Sequence, residues 1–262
     1  MTAKQTLDTA QSLYEKKLIT YPRTDSQYLT EDMEQTARNV VRQIYEKYQL
    51  TGPFDQPEQP DVKKVMNNSK VTDHHAIIPT MELSSCHLDE LKSWEEKILF
   101  LIAVHTVMAM SKEHVYQETE IEVECQGEIF KAKGKTVLQD GWKLFENCFK
   151  NKDRMAIVDP DQEMKEKIPK VTQGQTFYAV AAEKTEHFTS PPKPYSEDTL
   201  LAAMETAGNK EFDEDTEKKG LGTPATRAGI IEKLIYSQYA TRKGFLLYTS
   251  PRPRDVEESR MP

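Results

Sequence analysis

Residues 18–26 read Leu-Ile-Thr-Tyr-Pro-Arg-Thr-Asp-Ser, and this stretch decides how the rest of the chain is interpreted. Pro22 fixes its own φ and favours extended backbone at Tyr21, which predicts that Tyr21 lies at a strand end or turn. A phenol is a poor nucleophile at neutral pH unless a cation or base assists it. Arg23 is close enough in sequence to be that cation, or to hold a phosphate through two parallel hydrogen bonds. An ordinary turn that leads into a capped helix is the alternative interpretation.

The composition indicates a globular protein in a reducing compartment. The chain has 262 residues, 37% hydrophobic and 30% charged, which suits one to three domains. No apolar run approaches a membrane span, and the first residues lack the apolar core of a signal peptide. Cys86, Cys125 and Cys148 are far apart and odd in number, so we expect no disulfide framework. No Cys-x-x-Cys pair is present, which argues against a zinc ribbon in this chain.

The net charge of −8 counts against nucleic-acid binding, because phosphate contacts need Lys and Arg. It does not exclude such binding, since only the local charge of a binding groove matters. At the level of sequence, the acidic net charge and a function in nucleic-acid binding are therefore in conflict.

Apolar residues at helical spacing predict three helices before residue 112, over residues 3–17, from a cap at Thr30, and over 88–111. Later helices are predicted from a cap at Ser196 and from a cap at Thr223 to about Tyr236. A strand is predicted over residues 175–182. The third helix is expected to bury one stripe, which consists of Leu91, Trp94, Ile98, Leu101, Val104 and Met108.

Residues 115–138 alternate with a period of two, which predicts a β-hairpin that turns at Gln126-Gly127. In that register three glutamates lie opposite three lysines. The expected pairs are Glu122 with Lys131, Glu120 with Lys133 and Glu118 with Lys135, while Val123 meets Phe130 on the other face. The lysine stripe is therefore expected to be a solvated sheet face and not a DNA-binding patch.

A second informative segment is Asp73-His74-His75-Ala76-Ile77-Ile78-Pro79-Thr80. Two histidines and an aspartate are potential metal ligands, although their partners cannot be placed. The first four letters also resemble the signature of the DHH phosphoesterases, which need further aspartates. A histidine near its pKa can hydrogen-bond a phosphate and help to move a proton. A turn histidine without a role is the remaining interpretation.

A third segment, residues 220–227, reads Gly-Leu-Gly-Thr-Pro-Ala-Thr-Arg. Thr223 as cap and Pro224 at the first helical position predict a helix start. Such a start presents free N–H groups to an anion. A well-made helix start with no ligand is the alternative.

These three segments, in this order, resemble the type IA DNA topoisomerases, most closely the bacterial topoisomerase III branch. The resemblance implies that Tyr21 attacks single-stranded DNA and leaves a 5′-phosphotyrosine link, and that Arg23 stabilises the charge that develops. It implies that His74 contacts the scissile phosphate. By the same match Thr223, Thr226 and Arg227 face single-stranded DNA; some bacterial topoisomerase I relatives have an arginine at the position of Thr223.

The resemblance implies an α+β multidomain fold. Residues 1–112 would form a helical domain that carries the active-site tyrosine, residues 113–192 a β-rich arch, and residues 193–243 a partial helical domain with the DNA groove. Residues 244–262 lack periodicity and are expected to be a disordered tail. The family acts in the bacterial cytoplasm at the nucleoid, which is the location expected here.

The resemblance also implies a missing part. The family's Toprim domain, which holds Mg²⁺, precedes the tyrosine, and here it is absent ahead of Tyr21. Residues 159–163 contain a similar acidic pattern, but they follow the tyrosine and are interpreted as linker. We therefore expect no metal in this chain, no requirement for ATP, and no relaxation of DNA without a Toprim-containing portion. The competing functions are a non-catalytic module that binds single-stranded DNA and a metal-dependent phosphoesterase.

Overall fold

A computed structural model of the chain describes residues 1–50, 60–146, 171–178, 181, 183–208 and 220–249. The chain divides into two compact units. Of the described residues, the first unit holds 1–50, 65–103, 191–208 and 220–249, and the second unit holds 60–64, 104–146 and those between 171 and 190. The domain boundaries expected from the sequence stay a prediction.

The chain contains both helices and strands, as the predicted α+β fold class requires. The α-helices are α1 (Ala3–Glu15), α2 (Glu34–Tyr48), α3 (Ser93–Ala109), α4 (Glu197–Thr206) and α5 (Arg227–Tyr236). The strands are β1 (Val115–Cys125), β2 (Glu128–Gln139), β3 (Ala240–Lys243) and β4 (Leu246–Thr249). No helix in the described part of the chain is long and apolar enough to cross a bilayer.

The first two helices form as their patterns predict. At the start of α1 the Thr2 hydroxyl accepts from the Gln5 N–H, and the Gln5 side chain accepts from the Thr2 N–H, which satisfies two donors that the helix leaves free. A short 3₁₀ turn after Thr30 leads into α2. The buried face of α2 consists of Ala37, Val40, Val41 and Ile44, which recur at helical spacing in the sequence.

The predicted face of α3 is wrong in part. The helix begins at Ser93, and Trp94 and Leu101 are 54% and 41% exposed, whereas Leu99 is fully buried. The periodicity could not select the face because apolar residues occur around the whole circumference of α3. A charged residue decides the rotation, since Glu95 is only 2% exposed.

The Glu95 carboxylate joins α3 to α1. It accepts hydrogen bonds from the Ser12 hydroxyl (2.7 Å), the Lys16 ammonium (2.6 Å) and the Lys92 N–H (3.0 Å). Burial alone would raise the pKa of Glu95, but these hydrogen bonds outweigh it and lower the pKa to about 2. The carboxylate therefore stays charged inside the first unit.

The hairpin of the second unit has the predicted register. Glu122, Glu120 and Glu118 lie opposite Lys131, Lys133 and Lys135, and Val123 lies opposite Phe130. All three pairs form ion pairs, at 3.3 Å for Lys133–Glu120 and 3.7 Å for Lys135–Glu118. Gln126 and Gly127 have φ of 52° and 84°, the left-handed values that a two-residue hairpin turn of this kind needs. The charge stripe is exposed, as predicted.

Two further expectations need correction. The described residues of the predicted strand over 175–182, which are 175–178 and 181, form no strand, because no other described segment pairs with them. Residues 246–249 belong to β4 and not to a tail, since Leu247 pairs with Arg242 and its N–H also donates to the Tyr195 carbonyl (2.7 Å). The linker expected at residues 159–163 and the end of the chain from residue 250 lie outside the described residues.

Arg242 connects α4 and α5, and through Glu197 it is also linked to the start of α1. The Arg242 guanidinium on β3 donates to Glu232 on α5 (2.6 and 3.2 Å) and to Glu197 on α4 (2.5 Å). The other oxygen of Glu197 accepts from the Ala3 N–H at the start of α1 (2.6 Å). Because bidentate charge-assisted bonds fix geometry, this cluster sets the place of α4 and α5 beside α1.

Replacement of Glu95 by Gln tests the buried carboxylate. We expect the free energy of unfolding at neutral pH to fall by about 2 to 3 kcal/mol, because the charged form is bound more tightly in the folded state than in the unfolded chain. The folded pKa is the lower one, so this stabilisation is present above about pH 4.5 and is lost as the pH falls towards about 2. Urea unfolding of both proteins over that range measures it. Glu96→Gln, on the exposed side of the same turn, is the matched control and should change little; a difference between the Glu95 proteins that is independent of pH would contradict the assignment.

Candidate active site

The Tyr21 segment and the His74 segment pair with each other. Ile19 and Pro79 form an antiparallel bridge. The Thr20 N–H donates to the Ile78 carbonyl (3.0 Å), and the Thr80 N–H donates to the Leu18 carbonyl (3.0 Å). Two motifs more than fifty positions apart in sequence are thereby held side by side by backbone hydrogen bonds.

Two threonine hydroxyls reinforce this pairing on either side of Tyr21. The Thr20 hydroxyl accepts from the Ile78 N–H (3.0 Å) and donates to the Ala76 carbonyl (3.2 Å). The Thr24 hydroxyl donates to the carbonyl of His74 (2.9 Å). The backbone that carries His74 is therefore fixed relative to the backbone that carries Tyr21.

The Tyr21 side chain lies between two other rings. Its centroid is 4.3 Å from that of His74, with the planes inclined by 42°, and 5.4 Å from that of Tyr14 on α1, in an edge-on contact. Tyr21 lies outside any helix and is half-buried, while Pro22 beside it is buried. The predicted turn at Tyr21-Pro22 is confirmed, and the candidate nucleophile lies against the candidate proton-transfer residue.

Arg23 follows Tyr21 by two residues and is exposed. Within the described residues its guanidinium has neither a hydrogen bond nor an ion pair, so its five N–H groups are available to an anion. Asp25 is also exposed, and the hydroxyl of Ser26 donates to the Lys70 carbonyl (2.9 Å). The segment thus offers one free cation next to Tyr21 and uses its small polar residues to hold the backbone.

The Asp73-His74-His75 group does not converge on one point. The His75 Nδ1 lies 2.8 Å from the Ala76 carbonyl oxygen, whereas His74 lies against Tyr21. Nowhere in the described ranges do three or more His, Cys, Asp or Glu side chains form a group that could hold a metal ion. The acidic pattern at 159–163 lies outside those ranges.

The third segment begins its helix later than predicted. Helix α5 starts at Arg227, and the Thr223 carbonyl accepts from the N–H groups of Thr226 (2.9 Å) and Arg227 (3.0 Å). Thr223 thus closes the turn before the helix and is not its cap. Gly220 has φ of 62°, and a Cβ there would lie 2.4 Å from the Glu205 carbonyl oxygen, so only glycine fits at this position.

Arg227 is 8% exposed, whereas Thr223 and Thr226 are exposed. The Arg227 Nε donates to the Leu221 carbonyl (3.1 Å) and Nη2 to the Gly222 carbonyl (3.3 Å). No pattern in the sequence indicates that this side chain supports its own loop. Contact of these three residues with DNA stays a prediction.

A cavity of about 350 Å³ brings the three segments together in the first unit. Its lining comes from Thr24, Asp25, Ser26, Gln27, Ala76, Ile77, Glu205, Pro224 and Arg227. Glu205 and Gln27 were missed at the level of sequence, because neither belongs to a recognisable motif. The three segments all contribute to this lining, whereas Tyr21, Arg23 and His74 themselves do not belong to it.

Known structures show the same fold. Full-length topoisomerase I from Thermotoga maritima matches 95% of this chain and 37% of its own length, with a TM-score of 0.57 and 22% sequence identity. At that identity the match establishes the fold. A family model described as DNA topoisomerase matches residues 1–256.

Sequence relatives agree with that family. This chain is 36% identical to DNA topoisomerase 3 of Bacillus licheniformis over 98% of the chain, 36% identical to that of Bacillus subtilis over 97%, and 35% identical to that of Vibrio cholerae over 97%. The chain belongs to the DNA topoisomerase family, and the resemblance to the topoisomerase III branch is confirmed. It spans between 35% and 39% of the length of these three relatives.

Replacement of Thr20 by Val tests the connection between the two segments. We expect a loss of about 1 to 3 kcal/mol of unfolding free energy, because the Ile78 N–H loses its acceptor and the Ala76 carbonyl loses a donor. Thr20→Ser keeps the hydroxyl and should retain most of the stability. Nuclear Overhauser contacts between the Tyr21 and His74 rings should weaken in Thr20→Val only. Intact ring contacts and unchanged stability in Thr20→Val would contradict the role of the hydroxyl.

Proposed function

We propose that this chain supplies the nucleophile of a type IA, topoisomerase III-like enzyme that cleaves and reseals single-stranded DNA. The observation that carries the proposal is the contact between the Tyr21 and His74 rings, with the exposed Arg23 guanidinium two residues further along. The hydrogen bonds from Thr20 and Thr24 hold this arrangement before any substrate binds. Prepositioned groups of this kind are the main source of catalysis in such displacements.

The cleavage step forms one bond and breaks one bond. The Tyr21 phenolic oxygen attacks the phosphorus of a phosphodiester, and the bond from phosphorus to the 3′ oxygen breaks. The product is a 5′-phosphotyrosine link and a free 3′ hydroxyl. The proton that leaves Tyr21 passes to a base, and the departing 3′ oxygen takes up a proton.

His74 and Arg23 have separate roles in that step. The imidazole of His74 hydrogen-bonds the scissile phosphate and assists the movement of the proton, because histidine exchanges protons near neutral pH. Arg23 donates to the non-bridging oxygens, where negative charge accumulates as phosphorus becomes five-coordinate. The His74 ring contacts the Tyr21 ring, and the Arg23 guanidinium has no hydrogen bond or ion pair with a described residue.

Strand passage and religation follow from the covalent link. A second strand passes through the gap, and the 3′ hydroxyl then attacks the phosphotyrosine and restores the phosphodiester. The free energy of the original bond is conserved in the phosphotyrosine, so no ATP is consumed. The site of action we propose is the cytoplasmic nucleoid of a bacterium.

Relaxation of supercoiled DNA needs more than this chain under our proposal. The chain spans about a third of its relatives, and the resemblance places the family's Mg²⁺ site in a Toprim portion that would act as a partner. The described residues contain no group of three or more His, Cys, Asp or Glu side chains that could hold such an ion, so we assign no step to a metal here. A chain that only binds single-stranded DNA is the competing function.

Replacement of Tyr21 by Phe separates these two functions. The chain is mixed with the Toprim-containing portion of a relative and with single-stranded DNA, and covalent adducts are separated on a denaturing gel. An oligonucleotide labelled at its 3′ end should label the protein, whereas a 5′ label should not, because the phosphotyrosine retains the 3′ part of the strand. Tyr21→Phe should abolish the adduct and leave DNA binding unchanged. Absence of an adduct with the unaltered chain, together with normal binding, would favour the binding module.

Replacement of Arg23 by Gln tests whether this guanidinium contacts a phosphate. We expect the salt dependence of binding to a labelled oligonucleotide, measured by anisotropy, to become shallower by about 0.7 in log Kd per log salt concentration. Arg42→Gln, at an exposed position on α2, changes the net charge equally and is the control. An equal loss in both variants would show that Arg23 acts only through overall charge.

A further inference from the structure

Three aromatic rings lie together at the end of the β1–β2 hairpin opposite its turn, in residues 112–116 and 139–143, which we call the hairpin base. The His114 ring centroid is 5.7 Å from that of Tyr116 and 6.4 Å from that of Trp142. Tyr116 is 44% exposed, and the other two rings are half-buried. Exposed rings that occur singly are ordinary on a protein surface, whereas a group of them indicates a contact surface.

Hydrogen bonds to the backbone hold the two parts of the hairpin base together. The Trp142 N–H donates to the Lys112 carbonyl (2.9 Å). The His114 Nδ1 lies 3.1 Å from the Asp140 carbonyl oxygen. Because both bonds cross between the two parts, the rings are held close together before any ligand binds.

Two lysines lie over these rings. The Lys135 ammonium is 4.6 Å from the Tyr116 ring centroid, and the Lys143 ammonium is 5.9 Å from the Trp142 ring centroid. An aromatic face attracts a cation at such distances, which keeps both ammonium groups beside the rings. The hairpin base therefore presents flat apolar surface and positive charge side by side.

Both ammonium groups are available to an anion. Lys143 forms no ion pair with any residue that the structure describes. Lys135 is paired with Glu118 at 3.7 Å, and both of these side chains are exposed. An exposed ion pair contributes little free energy, so the exchange of Glu118 for a phosphate costs little.

The net charge around the rings limits what attraction alone can do. Counted with Lys135 and Glu118, the hairpin base carries as many acidic residues as lysines. It is therefore close to neutral, in a chain whose net charge is −8. A ligand that gains affinity from stacking as well as from charge fits this surface better than a simple anion does.

One nucleotide of a single strand has that chemistry. Its base stacks on an aromatic side chain through a π face, and the phosphate next to the base pairs with an ammonium group. The bases of a duplex are already stacked on one another, so the surface suits unpaired bases. Because every base has a π face, we expect binding that depends little on base identity.

We propose that the hairpin base is a second contact for single-stranded DNA, in which bases stack on Tyr116 and Trp142 and phosphates pair with Lys135 and Lys143. The inference rests on the proposed function in taking DNA as the strand that is bound. The hairpin base belongs to the second unit, whereas Tyr21 belongs to the first. The two contacts are made by different residues, so each can be tested without the other.

Tryptophan fluorescence reports on the hairpin base directly. The chain has two tryptophans, so Trp94→Phe leaves Trp142 as the only one. This full-length variant is titrated at low salt with oligo(dT) of about a dozen nucleotides, a length within the usual range for single-strand sites. The Trp142 emission should fall and saturate, because a stacked base quenches an indole. The same fall in the chain with both tryptophans should be lost in Trp142→Phe.

Replacement of Tyr116 by Leu tests the stacking in the Trp94→Phe background. The Kd that Trp142 reports should rise at least about fivefold, because the stacking of one base contributes that much or more. Tyr116→Phe keeps a ring and should retain the affinity. The matched control is Tyr178→Leu, which removes an exposed tyrosine of the same unit outside the hairpin base and should leave the Kd unchanged.

Replacement of Lys143 by Gln tests the phosphate contact in the same background. The salt dependence of the Trp142 signal should become shallower by about 0.7 in log Kd per log salt concentration. Lys184→Gln, at an exposed position of the second unit, changes the net charge equally and is the control. An equal change in both variants would show that Lys143 acts only through overall charge and would remove it from the proposed contact.

The outcomes separate this inference from the proposed function. Binding of the oligonucleotide by anisotropy with unchanged Trp142 emission would overturn the second contact and leave the proposed function standing. An equal rise of the Kd in Tyr116→Leu and Tyr178→Leu would overturn it too, as would an equal fall of the emission with a duplex of the same length. Failure to bind by either measurement would overturn both the proposed function and this inference.

Discussion

The short backbone pairing between residues 18–20 and 78–80 is the constraint on which the candidate site depends. Tyr21 and His74 belong to segments that are far apart in sequence, and neither segment is helical. Three backbone or threonine hydrogen bonds cross between Thr20 and residues 76–78. Without them, the two rings would belong to separate loops. Because loop backbone otherwise pairs with water, this small ladder is what allows irregular segments to hold a fixed geometry.

The overall acidity of the chain and its candidate contact with DNA are compatible once charge is considered locally. Three lysines of the hairpin in the second unit are paired with the glutamates opposite them, so their charge is neutralised within the hairpin. In the first unit Arg242 binds Glu197 and Glu232, and Lys16 binds Glu95. Arg23 is exposed and lacks such a partner among the described residues, so one cation close to Tyr21 in sequence stays available to a phosphate in a chain whose net charge is −8.

Local patterns predicted local structure well and long-range placement poorly. The hairpin register followed from alternation and charge complementarity alone, because each strand specifies its partner within a few residues. The buried face of α3 could not be predicted in this way, because apolar residues occur all around the helix. It is the hydrogen bonds from Glu95 to Ser12 and Lys16 that show which side is buried. The role of Arg227 could not be predicted either. The sequence does not distinguish an arginine that binds carbonyls of its own loop from one that binds a phosphate. The family could be recognised because each of its three motifs is a continuous stretch of sequence. The cavity could not, because Glu205 and Gln27 reach it only through the fold.

Helix α1 acts as a strut inside the first unit. Its thirteen residues correspond to a rod of about 20 Å. Near one end Tyr14 touches the Tyr21 ring, and at the other the Ala3 N–H is bound to Glu197, which Arg242 holds in turn. Helix α1 therefore holds the edge of the Tyr21 ring at a fixed spacing, about the length of the helix, from the ion-pair cluster around Glu197.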